Sequence, residues 1–75
     1  MSGTTQLRRV TPARNMRRFY VLAVHADLLA GSSLIREWGR IGRPGRVRVE
    51  PFTEPQLAEA AGARIERIKR GRGYA

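Results

Sequence analysis

Residues 34–50 read LIREWGRIGRPGRVRVE, and no other stretch restricts the folding of this chain so tightly. Side chains of a β-strand alternate between two faces. On that period Ile35, Glu37, Gly39 and Ile41 share one face, and Leu34, Arg36, Trp38 and Arg40 share the other. Arg43, Pro44 and Gly45 form the expected turn. Beyond it Val47 and Val49 fall on one side and Arg46, Arg48 and Glu50 on the other. The pattern predicts a hairpin with one basic side, and Trp38, the only tryptophan, lies on that side between Arg36 and Arg40. Two environments fit such a ring. It is either exposed and free to stack on a base or sugar while guanidinium groups hold phosphates, or it packs under arginine stems as a small core. Alternation alone leaves both open.

The remaining elements follow from the same signals. Residues 1–5 are polar and expected as a loose tail. Residues 6–10 (QLRRV) read as a short edge strand closed by the turn formers TPARN. Residues 17–25 (RRFYVLAVH) are rich in β-branched and aromatic side chains and read as a buried strand. Tyr20, Leu22 and Val24 share one face of it, and Phe19, Val21 and Ala23 the other. ADLLAGSS, residues 26–33, is expected as a loop.

A helix is expected after Thr53, with Thr53 and Gln56 as a capping box, Phe52 and Leu57 as a hydrophobic staple, and Pro55 in the first turn. Leu57, Ala61, Ile65 and Ile68 make its apolar stripe. Glu54 and Glu59 lie early, Lys69 and Arg70 late, and Gly71 is the expected stop. The fold class is therefore α+β: a small antiparallel sheet of about four strands with one C-terminal α-helix packed across it, as a single domain over residues 1–75.

Charge narrows the function. Fifteen Lys+Arg stand against six Asp+Glu, a net charge of +9, and every cation but Lys69 is arginine, the side chain that forks onto phosphate oxygens. The arginines come in clusters, one in residues 8–18, one in 36–48 and one in 64–72, which points to a polyanion and first of all to nucleic acid. There is no cysteine, so thiolate metal sites and disulfides are excluded. The single histidine, His25, has no second ligand to share a metal. Ser33, His25 and Asp27 lack the surroundings of a nucleophile elbow, and the glycines of GRIGRPG do not follow the phosphate-loop pattern. The expectation is a protein that is not an enzyme and uses no cofactor, metal or small-molecule substrate. No apolar run is long enough to span a membrane. The acid-free stretch before Asp27 has something of a transit peptide's composition, but it runs directly into a strand pattern, so it is kept within the domain. The expected location is the cytoplasm, on the nucleoid.

The ordered set RFYVLAV, DLLAG, REWGRIGRPG and a helix ending in KRGRGY resembles the WGR domain, whose signature falls on Trp38, Gly39 and Arg40. The resemblance covers residues 7–74. It implies an antiparallel sheet with one helix, and binding near the 5′ end of a DNA break, as in the poly(ADP-ribose) polymerases. Trp38 would stack on the terminal sugar and Arg40 would contact the DNA end. Arg17 and Arg18 would touch DNA from the start of the second strand. Small free-standing bacterial members also exist, and this chain looks like one. Ser32 stands where many relatives carry an aromatic residue, which implies thinner packing on the outside of the sheet. With the basic hairpin added, the candidate binding set is Trp38, Arg40, Arg36, Arg17, Arg18, Arg43, Arg46 and Arg48. DNA ends or nicks are the favoured ligand, RNA or single strands a second. An acidic protein partner, or self-association through the edge strand at residues 6–10, is the alternative.

Overall fold

The computed structural model describes residues 4–26 and 31–75. Four antiparallel strands lie in chain order, β1 (Thr4–Thr11), β2 (Met16–Ala26), β3 (Ser32–Arg40) and β4 (Arg46–Phe52), followed by one helix, α1 (Pro55–Gly71). This is the expected α+β arrangement. A 3-10 turn, Pro12–Arg14, links β1 to β2, and Asn15 closes it in the left-handed region (φ 50°), which asparagine tolerates better than most residues.

Register places the side chains. Tyr20 pairs with Leu7 on one side and Trp38 on the other, Leu22 with Arg36, and Val24 with Leu34. Directly paired residues share a face, so the face predicted as the basic side of the hairpin is the one that α1 covers. Leu7, Tyr20, Leu22 and Leu34 are the buried cluster, with Val24, Trp38, Phe52, Ala61, Ile65 and Tyr74 packed around it. The opposite face carries Phe19, Val21, Ala23, Ile35, Val47 and Val49, and at its β4 edge Val47 and Val49 are exposed.

The helix differs from expectation at both ends. Pro55 is its first residue, and a residue before proline is pushed into extended backbone. Glu54 obeys (φ −136°, ψ 142°), so the cap is Glu54 rather than Thr53 and the Thr53–Gln56 box does not form. Gln56 Nε2 instead donates to the Glu54 carboxylate at 3.1 Å. The staple also fails: Leu57 is exposed while Phe52 packs on the core. At the other end Gly71 is helical and Gly73 is the left-handed residue (φ 97°). Gly73 N–H donates to the Arg70 carbonyl and Tyr74 N–H to the Lys69 carbonyl, both at 3.1 Å, which is the Schellman pattern. Stopping two residues later carries Tyr74 onto the core. It also lets Ala75 exchange both backbone bonds with Arg8, at 2.9 Å each, along the outer edge of β1.

The stripe is rotated as well. Ala58 and Gly62 are buried and Ala61 and Ile65 packed, whereas Leu57 and Ile68 lie exposed on the flanks. The sheet supplies the bulk here. A Cβ on Gly62 would lie 3.3 Å from Leu34 Cδ1, so α1 presents its smallest residues to the largest ones below. Three smaller expectations also shift. Thr4 and Thr5 belong to β1 and not to a tail. Of the expected loop at 26–33, Ala26, Ser32 and Ser33 are in strands, while residues 27–30, like tail residues 1–3, lie outside the described residues. Ser32 does not face outward: it is 1% exposed, on the helix side, paired with Phe52.

The tight hairpin turn precedes the predicted Arg43–Pro44–Gly45. Arg43 N–H donates to the Arg40 carbonyl at 3.1 Å, with Gly42 at φ 87°. Gly45 serves a different need. A Cβ there would collide with the Trp38 carbonyl oxygen and lie 2.8 Å from Phe19 Cζ; Gly39 Cβ would lie 3.0 Å from Gly45 Cα. Two bare backbones meet, and the Phe19 ring lies across them. Gly45→Ala is expected to lower the unfolding free energy by about 2 kcal/mol, because backbone must move to admit the methyl. Gly71→Ala, whose Cβ meets nothing, is expected to be neutral or to add about 0.5 kcal/mol as a better helix former. Urea titrations of the two variants check both signs.

Candidate nucleic-acid interface

The start of β2, the end of β3 and the last turn of α1 converge where Arg18 pairs with Arg40. They enclose an open cleft of about 650 Å³. Its floor is aromatic. Tyr20, 3% exposed, stacks on Trp38 (centroids 5.8 Å apart, planes 15° apart) and meets Tyr74 edge-on at 6.3 Å. Trp38 is thus half-buried, and each of the two environments open at the sequence level holds in part. One face of the ring belongs to the core, and the residue still lines the cleft.

The cations split into two groups. Arg14, Arg17, Arg18, Arg40 and Lys69 line the cleft, and among the described residues no carboxylate does. Lys69 is the most constrained. Its Nζ sits 4.7 Å from the Tyr20 ring centroid and 5.5 Å from that of Tyr74, a cation–π arrangement over both rings. Burial first, then the charges of Arg72, Arg36 and Arg18, lower its pKa from the ordinary lysine value. Among the described residues, no carboxylate pairs with it.

The second group does not line the cleft. Arg36 donates from Nε to the Tyr20 hydroxyl and from Nη1 to Glu50 Oε1, both at 2.8 Å, and its guanidinium lies 5.8 Å from the Trp38 ring. The Glu50 hydrogen bond raises its pKa, against the opposing effect of burial. Arg48 lies 3.6 Å from the same carboxylate. Arg46 is exposed opposite Trp38, and Arg43 is exposed in the turn. Of the eight residues singled out by sequence, Trp38, Arg40, Arg17 and Arg18 line the cleft together; Arg36, Arg43, Arg46 and Arg48 do not, although Arg36 lies against the Trp38 ring and Arg46 pairs with Trp38 across the hairpin. Sequence reasoning did not select Arg14, Lys69, Tyr20 or Tyr74. The available signal was the C-terminal KRGRGY, whose second glycine turns Tyr74 back onto the second strand beside Lys69 in the last turn of the helix.

This is a small, strongly basic binding domain with an aromatic-floored cleft. The chain matches the WGR domain family over residues 3–75 and belongs to it. WGR domains are binding domains, generally of nucleic acid and generally non-catalytic. The chain is 38% identical over 66 residues to an uncharacterized protein, y4dW, of Sinorhizobium fredii (strain NBRC 101917 / NGR234). That match covers 88% of this chain and 32% of the relative, so the chain spans about a third of that protein's length. No solved structure matches it. No helix among the described residues is long and apolar enough to cross a membrane.

Because Trp38 holds both core and cleft, Trp38→Ala is expected to cost about 2 kcal/mol of stability, less than a fully buried tryptophan would. The variant keeps a cooperative melt. Thermal unfolding followed by far-UV circular dichroism tests this; loss of the transition would place Trp38 wholly in the core.

Proposed function

We propose that the protein binds DNA at ends or nicks, with the terminal 5′ phosphate in the cleft and the terminal sugar against Trp38. One observation carries this reading. Five cations and, among the described residues, no carboxylate line a cleft with an aromatic floor, while Arg36 and Arg48 outside it share Glu50. Arg18, Arg40 and Lys69 are the phosphate ligands, with Arg14 and Arg17 at the margin. Arg43 and Arg46, and Arg48 more weakly, meet the neighbouring backbone electrostatically. Arg36 is a positioning residue that holds Tyr20 and, through it, Trp38. The reaction is binding alone. A protein of this kind works where DNA lies exposed, in the cytoplasm on the nucleoid.

Fluorescence anisotropy on a nicked, 5′-phosphorylated duplex and on a closed dumbbell of the same sequence tests the reading. The nick is expected to bind about tenfold tighter, as one stacking contact and one terminal phosphate would provide. Equal affinities would reduce the function to coating duplexes, and absence of binding would remove it. Log affinity should fall linearly with log salt, and Arg18→Gln or Arg40→Gln should each lower the slope by about one.

Lys69 adds a pH dependence. Its free-state pKa is lowered, and a bound phosphate returns it towards the ordinary value. Below the lowered pKa the amine is charged in both states and affinity is full. As pH rises through the window between the two values, binding must take up a proton and affinity falls. Lys69→Arg, whose guanidinium does not titrate there, should flatten this alkaline decline. Anisotropy across the alkaline range reads both proteins.

A further inference from the structure

We propose that Lys69 is a site of acylation by small acyl phosphates, and that acylation turns off the cleft. Lys69 is the only lysine of the chain, so the cleft holds one primary amine among guanidiniums. Its backbone is fixed by the helix stop, whose N–H groups from Arg72 and Tyr74 both reach the Lys69 carbonyl, at 3.0 and 3.1 Å. Its side chain lies over Tyr20 and Tyr74 and opens into a cleft roomy enough for an acyl phosphate. The groups facing the amine are Tyr20 and Arg18 from β2, Arg36 from β3, Arg72 at the end of its own helix, and Tyr74 beyond it. Among the described residues, no carboxylate faces the ammonium. The lowered pKa of Lys69 agrees with this: desolvation and neighbouring cations raise the share of the amine that is neutral and nucleophilic.

The chemistry balances within the cleft. Arg18 and Arg40 hold the phosphate oxygens of the acyl phosphate. The neutral Nζ adds its lone pair to the acyl carbon. The bond from that carbon to the bridging oxygen breaks, inorganic phosphate leaves with the electron pair, and the nitrogen proton passes to the departing phosphate, directly or through water. Positive charge around the departing phosphate stabilises the transition state. The product is a neutral amide. The cleft then loses one of its five cations, and an acyl group lies over the ring of Tyr20. The consequence for DNA rests on the function proposed above; the acylation does not.

The test treats the intact protein with acetyl phosphate and follows acetylation by peptide mass spectrometry. A free peptide with the sequence of residues 65–72 provides the reference lysine. Lys69 is expected to react at least about fivefold faster than the peptide, as desolvated lysines do. Inorganic phosphate should slow it by competition, and Arg18→Gln should slow it by loss of the phosphate ligand. Reaction at the peptide's rate, insensitivity to phosphate, or labelling confined to the terminal amine would overturn the proposal. The acetylated protein is then measured against the nicked duplex, with affinity expected to fall by about threefold or more for one lost phosphate contact. Unchanged affinity would overturn the switch. Rapid acetylation of a protein that never binds DNA would overturn the function proposed above and leave the modification site standing.

Discussion

Tyr20 is the contact on which the rest of the molecule depends. It sits mid-sheet, paired with Leu7 and Trp38, and each remaining side of its ring meets a different part of the chain. Trp38 stacks on it, Tyr74 meets it edge-on, Lys69 lies above it and Arg36 donates to its hydroxyl. A buried phenol needs a partner for its oxygen. Arg36 meets that need and is itself anchored by Glu50, so a salt bridge at the sheet edge fixes a ring at its centre. The aromatic floor of the cleft is therefore continuous with the core.

Close packing of helix on sheet follows from a division of size. Large residues come from the strands and small ones, Ala58 and Gly62, from the helix. This lets α1 lie low enough for its last turn to reach Tyr20. The two glycines facing each other across the hairpin do similar work on the other side of the sheet. They bring β3 and β4 together beneath Phe19, and their backbones carry Trp38 and Arg46 on the cleft side.

Period-two alternation was enough to read the strands and their faces, since a one-residue slip would reverse every side chain. Tyr20, Leu22 and Val24 share a face as expected. Alternation could not say which face the helix covers. That depends on the total apolar bulk of both faces and the path of the connection, and both faces of β2 are apolar. The helix ends were misread because two local rules competed at each. The conformational demand of Pro55 on Glu54 outweighed the Thr53 cap, and the long-range contacts of Tyr74 and Ala75 selected Gly73 over Gly71. The stripe was misread because hydrophobic periodicity weights large residues, whereas Leu34 requires small ones above it. Of the residues lining the cleft, Trp38, Arg40, Arg17 and Arg18 were singled out through the likeness to the WGR domain; placing Lys69 and Tyr74 beside them required knowing where the chain returns.

A net charge of +9 on so small a chain would place cations on every surface, yet the fold treats them unequally. Glu50 draws Arg36 and Arg48 to itself, and Glu66 pairs with Arg70 at 3.0 Å on the outside of the helix. Among the described residues, several cations and no carboxylate line the cleft. Burial first, and then the nearby charges of Arg72, Arg36 and Arg18, lower the pKa of Lys69, so a charged amine there costs stability in the free protein. An anion in the cleft relieves it. Strain of this kind persists only where the surrounding structure over-determines the geometry, and here the stacked Tyr20–Trp38 pair and the fixed helix end do so.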